Sequence, residues 1–202
     1  MTSFTPQALY KTRQSPGLWF DSARALARAA ELILREEEEV GAQYLSACDV
    51  AADELGGDIK APRPNYVPAQ LLYGFAIENL LKGLRVAQNP ELASIDKLAG
   101  ELNKHELDGL ASAADPTLTK LDREFLVLLT HLIKWAGRYP IGLNLHEHQQ
   151  ARDLLLRPDG ILGEWSAANA SLRTIFERLA RELEKHVPSE PTEWDTLIVF
   201  DD

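Results

Sequence analysis

Apolar residues recur at intervals of three and four along most of this chain, and that spacing places them on one face of an α-helix. The first stripe predicts a long helix between Ser15-Pro16, where a capping hydroxyl precedes a proline, and Gly56-Gly57. A second predicted helix covers residues 68–88 and is apolar over most of its circumference. A helix of that kind must lie at the centre of the fold.

The rest of the chain shows the same pattern with more interruptions. One or two short helices are predicted within residues 91–115, and a strong stripe predicts a deeply packed helix over residues 118–135. Asn144-x-x-Glu147 has the form of a capping box and predicts a further short helix. A narrow stripe over residues 165–183 predicts a last long helix, which Pro188 ends.

These elements predict an all-α protein, an up-and-down helical bundle of four to five main helices with additional short helices. A chain of 202 residues can form one core, so we expect a single domain over 1–202 with an N-terminal arm over 1–15. Residues 188–202 are predicted to form an extended tail that is both acidic and apolar. We expect its apolar run, residues 197–200, to dock on the body or on a partner, because such a run avoids water.

Charge and composition narrow the function classes. The formal net charge is -10, so the bulk attraction to nucleic-acid phosphates that Lys and Arg provide is absent, and any RNA contact must be local. Half of this acidic excess lies in residues 187–202. The chain has one cysteine, Cys48, and no apolar stretch of the length that a signal or membrane segment needs. We therefore expect a cytoplasmic protein without membrane contact.

Familiar catalytic and metal-binding motifs are missing. The chain has no Gly-rich phosphate loop, no Cys pair spaced for zinc and no His-Glu-x-x-His helix. His146 and His148 stand two positions apart, where helical side chains point in different directions, so they make a poor metal pair. We therefore expect neither a metal nor a cofactor.

A narrow polar line crosses the second predicted helix. Glu78 and Lys82 stand one helical turn apart on it, and Arg85 follows at the next step. One interpretation is an exposed ion pair that stabilises the helix slightly. The other is a pair in a groove between helices, where a cation can anchor a loop carboxylate or an anionic ligand.

A second candidate stretch is Trp135-Ala-Gly-Arg-Tyr-Pro-Ile141, at the end of a core helix and the start of a loop. Arg138 can grip a phosphate or carboxylate with two parallel hydrogen bonds, and Trp135 or Tyr139 can stack on a base. Equally, Arg138 and Tyr139 can hold the loop on the bundle by packing.

Three local features resemble the HEPN superfamily of helical-bundle domains. Ala76-Ile-Glu-Asn-Leu-Leu-Lys-Gly83 is similar to the family's Glu-x-x-Leu-Lys pattern, and His105-Glu-Leu-Asp-Gly-Leu110 to its His-x-Leu-x-x-Leu segment. Arg138 follows the core helix, and the resemblance covers roughly residues 65–185. It implies an up-and-down bundle, a homodimer and, for many relatives, metal-independent RNA cleavage in toxin–antitoxin or defence systems.

The chain departs from the family at one point. Active HEPN relatives carry an Arg followed after four to six residues by His, usually with a polar residue next to the Arg. Here Tyr139 follows Arg138, and seven residues separate Arg138 from His146.

Three hypotheses follow for the function. The first is a HEPN-like regulatory module that need not be catalytic and that uses Arg138 and its neighbours to hold a nucleotide, an RNA or a partner protein. The second is a metal-independent endoribonuclease with catalytic Arg138 and His146, the first stabilising phosphate charge and the second acting as acid or base. The third is a structural interaction protein without a ligand site. The candidate ligand-binding residues are Glu78, Lys82, His105, Trp135 and Tyr139.

Overall fold

The computed structural model describes residues 14–53, 58–94, 99–114, 117–136, 146, 149–150, 152–153 and 165–188. For residues 52, 135, 136, 165 and 166 it describes the backbone alone. Most of the N-terminal arm, the Asn144-x-x-Glu147 capping box and the C-terminal tail lie outside the described residues. Those three predictions stay predictions.

The described residues contain five α-helices and no β-strand, which confirms the all-α helical bundle. In chain order the helices are α1 Pro16–Asp53, α2 Val67–Gln88, α3 Leu107–Ala114, α4 Lys120–His131 and α5 Trp165–Glu184. A 3-10 turn, Pro90–Leu92, follows α2, and a π-helical turn, Leu132–Ala136, continues α4. No helix in this part of the chain combines the length and hydropathy that a membrane span needs.

Helix α2 is the hub of the bundle. It packs against α1, α3, α4 and α5, and every residue from Leu80 to Leu84 is buried. Five consecutive buried positions cover more than one helical turn, so neighbours enclose α2 on all sides. Each fully buried Leu or Ile side chain stabilises the folded state by roughly 1.5–3 kcal/mol relative to an exposed one. The central position that the all-round apolar pattern predicted is confirmed.

The other long helices present one face each to α2. The narrow stripe predicted for α5 is confirmed, since its buried apolar residues are Ala168, Leu172, Ile175, Leu179 and Leu183. The first half of α1 buries Phe20, Ala23, Ala27, Ala30 and Leu34. Three of these five are alanines, which let the backbone of α1 approach α2 closely.

The outer half of α1 is less buried than its apolar stripe predicted. Beyond Leu34, Gly41 and Ala51 are buried, but Tyr44 and Ala47 are only partly covered. The cause is length, because α1 has 38 residues and α2 has 22. At 1.5 Å per residue they are about 57 Å and about 33 Å long. Helix α2 therefore cannot cover all of α1.

Helix α4 begins with a capping box, Thr119-x-x-Asp122, which the sequence analysis did not single out. The Asp122 N–H donates to Thr119 Oγ1 at 3.1 Å, and the Thr119 N–H donates to the Asp122 carboxylate at 2.9 Å. Arg178 of α5 donates to the same carboxylate at 2.5 Å. Burial acts to raise the pKa of Asp122, but the hydrogen bonds from Thr119 and Arg178 outweigh it and hold the pKa below its usual range.

The Asp122 carboxylate makes the free energy of unfolding depend on pH. A lowered pKa in the folded state stabilises the fold above the unfolded-state value of about 3.9, and that contribution is lost as the pH falls through the folded-state pKa. We expect Asp122→Asn to lower the free energy of unfolding at pH 7 and to flatten its fall below pH 4. Urea unfolding followed by circular dichroism from pH 7 to pH 2 measures both. Identical profiles for wild type and variant would contradict this expectation.

A second prediction concerns Gly83, where α2 meets two other helices. An added Cβ would lie 2.7 Å from Leu183 Cδ2 and 2.8 Å from Trp19 Cβ, and the latter is fixed to the backbone of α1. We expect Gly83→Ala to lower the free energy of unfolding by about 1–2 kcal/mol, because overpacking outweighs the gain of roughly 0.5–1 kcal/mol in helix propensity. Urea unfolding tests this against Gly100→Ala, where no atom lies within 4 Å of the added Cβ. A loss of the same size in both variants would refute the steric explanation.

Candidate functional site

The polar line of α2 lies inside the bundle. Glu78 is 6% exposed and Lys82 is 7% exposed, and Lys82 Nζ contacts Glu78 Oε1 at 2.5 Å. The exposed ion pair is therefore wrong, because the pair is buried inside the bundle; the anchoring of a loop carboxylate or an anionic ligand by the cation stays a prediction. The difference matters energetically, because removing two ions from water costs several kcal/mol each unless they are paired and hydrogen-bonded.

His105 closes the outer side of this pair. Its Nδ1 lies 3.0 Å from Glu78 Oε2 and 3.1 Å from Oε1. Because a carboxylate accepts hydrogen bonds, Nδ1 must carry the proton and donate it. The side chain is 50% exposed, so its other edge faces outward. The structure thus brings together three of the predicted ligand-binding residues, from segments that lie 27 positions apart.

The segment around His105 is held against the end of α4. The Leu107 N–H donates to Thr130 Oγ1 at 3.0 Å, and Glu106 forms an ion pair with Lys134 of the π-helical turn. The hydrogen-bonded ammonium of Lys134 holds the pKa of Glu106 below its usual range. A π-helical turn inside an α-helix is rare and often occurs at functional sites. Here it places Lys134 against Glu106, the residue that follows His105.

The remaining predicted site residues are only partly described. For Trp135 the structure gives the backbone, within the π-helical turn. His146 is helical and exposed. Arg138 and Tyr139 lie outside the described residues. The proposed meeting of Arg138 with His146, or of either with Glu78, stays a prediction.

A hollow of about 460 Å3 lies between α2, α3 and the segment that joins them; Lys104 and Glu106, the chain neighbours of His105, line it, but His105 does not. Its volume is in the range of small-molecule sites. Its lining residues are Arg85, Glu101, Lys104, Glu106, Gly109, Leu110 and Ala113. A larger open groove of about 710 Å3 lies between the outer half of α1 and residues 58–61, and it contains none of the predicted site residues.

Two cations face the hollow, in different situations. Arg85 donates to Glu101 at 3.0 Å, to Gln88 at 2.8 Å and to the Ala113 carbonyl at 3.4 Å, so it mainly fastens α3 and its preceding segment to α2. Its Nε is buried without a hydrogen-bond partner. Lys104 is exposed, and no ion pair joins its ammonium to another described residue. Among the described residues that line the hollow, Lys104 is the cation without an ion pair.

Metal binding has no support from the same residues. Within the described ranges, no three His, Cys, Asp or Glu side chains come together as a metal site requires. Glu78 and His105 supply two such groups, and the buried ammonium of Lys82 occupies the carboxylate.

Sequence reasoning missed a second polar network, between α1, α2 and α5. Arg173 donates to both carboxylate oxygens of Glu31, at 2.7 and 3.1 Å, and to Glu38 at 3.0 Å; Tyr73 donates to Glu31 as well. Burial acts to raise the pKa of Glu31, but the hydrogen bonds from Arg173 and Tyr73 outweigh it and lower the pKa. Burial and the Glu31 carboxylate raise the pKa of Tyr73. The partners lie 42 and 142 positions apart, so no local signal could reveal them.

Comparisons of the chain with protein-family models, with curated proteins and with solved structures gave no match in any of the three. The HEPN resemblance therefore rests on the motif residues themselves.

The buried pair of α2 gives a stability prediction. Lys82→Met leaves the Glu78 carboxylate buried without its ammonium, and we expect a loss of about 3 kcal/mol in the free energy of unfolding. The double variant Glu78→Leu/Lys82→Met should recover most of that loss, because no uncompensated charge remains. Urea unfolding of both variants and of Lys185→Met provides the measurement.

The control, Lys185, forms an ion pair with Glu182 at 2.5 Å but is 65% exposed. Solvent screens such pairs, so Lys185→Met should change stability by less than about 0.5 kcal/mol. Equal losses for Lys82→Met and Lys185→Met would show that burial does not set the cost.

Proposed function

We propose that this chain is a HEPN-like regulatory module that binds a nucleotide or a short stretch of RNA beside Glu78, Lys82 and His105. The observation that carries the proposal is the contact between Glu78 and His105, at 3.0 Å. These two residues belong to two of the three local features on which the HEPN resemblance rests. The motifs are 27 positions apart in the chain and yet meet in one polar cluster. A common site explains that contact better than two unrelated packing roles.

The surroundings of the cluster favour a small ligand over a long nucleic acid. With a net charge of -10 the chain lacks the broad basic surface that attracts a phosphate backbone. It does offer a hollow of about 460 Å3 with the exposed ammonium of Lys104 at its rim. A nucleotide, or one or two nucleotides of an RNA strand, matches that combination of limited volume and local positive charge.

Binding without cleavage is the form of the proposal that the sequence supports. The seven residues between Arg138 and His146, and Tyr139 next to Arg138, depart from the pattern of active HEPN relatives. A regulatory role in a toxin–antitoxin or defence system and a homodimeric state belong to the same proposal through the resemblance, and a cytoplasmic location belongs to it through the single cysteine, Cys48.

Isothermal titration calorimetry with adenine and guanine nucleotides and with short RNA oligomers, in EDTA, tests the proposal. We expect the wild type to bind at least one of these ligands. The double variant Lys104→Met/His105→Leu should bind that ligand about tenfold more weakly or worse, because the variant lacks both the exposed cation and the polar ring. Lys60→Met is the matched control, since Lys60 is an exposed lysine beside the outer half of α1. It should bind as the wild type does.

Each other outcome points to a different function. Absence of binding by every nucleotide and RNA would reject the proposal. If the wild type cleaves the RNA in EDTA and Arg138→Ala does not, the result would support the endoribonuclease instead. A protein that co-purifies with the native chain, with no binding of nucleotide or RNA, would support a partner-binding module.

A further inference from the structure

Exposed apolar side chains gather at one end of the bundle. Of the five large apolar side chains that are exposed in the described part of the chain, four lie in the outer half of α1, in the loop after it and at the start of α2. They are Leu45, Val50, Ile59 and Val67, which are 40–65% exposed, whereas the fifth, Leu32, lies in the first half of α1. Single exposed apolar residues are ordinary, but a group of them is typical of a surface that binds another molecule.

The surface exists because α1 extends past the helix that covers it. The hydroxyl of Tyr66, the residue before α2, packs against Gly41 of α1. Beyond Gly41, α1 continues for 12 residues to Asp53, which is about 18 Å of helix. Residues 58–61 lie along one side of this extension, and the open groove of about 710 Å3 lies between them and α1.

The lining of the groove favours a helix as its occupant. On the α1 side the lining positions follow one another at helical spacing, and they are Ala42, Gln43, Ser46, Ala47, Val50 and Ala51. Four of these six side chains are Ala or Ser, which are small enough for a second helix axis to approach within about 8–10 Å. Laying the apolar face of an amphipathic helix into such a groove is a common way for proteins to recognise each other.

Charge indicates the polar face of that helix. After Arg35, α1 carries six acidic residues and no Lys or Arg; the six are Glu36, Glu37, Glu38, Glu39, Asp49 and Asp53. Asp49 and Asp53 are exposed on the extension, and the exposed Asp58 lines the groove. Lys60 is the one cation among the described lining residues. A helix with Lys or Arg beside its apolar face therefore complements this surface.

The same charges oppose an occupant from this chain. A second copy would bring an equally acidic helix face, and like charges that meet in an interface weaken it. The tail, residues 187–202, has five acidic residues and no Lys or Arg. Lys11 and Arg13 of the N-terminal arm stand at most five residues, about 17 Å, before Pro16, whereas Ala42 lies about 39 Å further along α1. The complementary helix must come from another protein.

We infer that the outer half of α1 is a docking surface for a basic amphipathic helix of a partner protein. The apolar face of that helix packs on Val50, Ala42 and Ala47. Its Lys or Arg side chains lie beside Asp49, Asp53 and Asp58. This surface contains none of the residues of the proposed nucleotide site, so the inference does not rest on the proposed function.

Fluorescence anisotropy with three labelled synthetic peptides tests the inference. Each peptide has about 14 residues, which is about 21 Å as a helix. The first alternates Leu and Lys so that Leu forms one helical face, the second has Glu in place of Lys, and the third has the Leu and Lys residues of the first in an order that gives no apolar face. We expect the full chain to bind the first peptide about tenfold more tightly than either of the others.

Two matched pairs of variants locate the binding surface. Ala42→Arg fills the groove and adds a cation, so it should abolish binding of the Leu/Lys peptide, whereas Ala25→Arg, at an exposed alanine in the first half of α1, should not. Val50→Ser should weaken binding about tenfold, and Leu32→Ser, at an equally exposed apolar residue, should leave it unchanged. These positions are exposed, so the variants should fold as the wild type does.

A charge variant tests the polar half of the inference. Asp49→Asn/Asp53→Asn should weaken binding of the Leu/Lys peptide about threefold or more and should reduce the dependence of its affinity on salt. An unchanged affinity and salt dependence would overturn the assignment of these carboxylates to the interface.

Four results would overturn the docking surface itself. They are absence of binding by the Leu/Lys peptide, equal binding of the Leu/Glu peptide, equal binding of the peptide without an apolar face, and equal effects of Ala42→Arg and Ala25→Arg. Analytical ultracentrifugation tests the other occupant. A dimer of this chain that Ala42→Arg dissociates and Ala25→Arg does not would assign the surface to a second copy and would also overturn the inference.

Discussion

Two opposite charges of α2, on Glu78 and Lys82, lie in the interior of the bundle at 2.5 Å from each other, and each is tolerable there only because the other is present. An apolar pair of similar volume would fill the same space with no loss of stability. The fold by itself therefore gives no reason for charges at this depth. The structure offers a reason in His105, whose ring the Glu78 carboxylate holds in one orientation and one tautomer.

The same arrangement organises the chain between α2 and α3. Glu78 holds His105, and Arg85 holds Glu101 two helical turns further along α2. On the opposite side, Thr130 and Lys134 hold the residues that begin α3. The segment between α2 and α3 thus gains a fixed position from polar contacts on both sides, in addition to the apolar cluster that Ala93 and Leu102 form with Val86. That is the setting in which a loop residue can be presented with the precision that binding requires.

How much of this could be predicted from the sequence depends on the range of each interaction. Burial repeats with the helical period, so the central position of α2 and the inner face of α5 were predicted correctly. Periodicity shows which face is apolar but not how far a neighbour extends, which is why the outer half of α1 was predicted to be more buried than it is. The resemblance singled out Glu78 and His105 separately, yet their contact depends on how α2 and α3 dock. Lys134 and the Tyr73–Glu31–Arg173 network gave no local signal, because their partners are distant in the chain.

The two polar networks differ in how much of each can be reached by a ligand. Arg173 donates three hydrogen bonds to Glu31 and Glu38 of α1, and Tyr73 of α2 donates to Glu31, so this network ties three helices together. The cluster at His105 is saturated on its inner side and open on its outer side. Charge at a distance contributes little at such a site, because physiological salt screens exposed charges beyond about 8 Å. An acidic protein can therefore still accept an anionic ligand, provided that short-range hydrogen bonds select it.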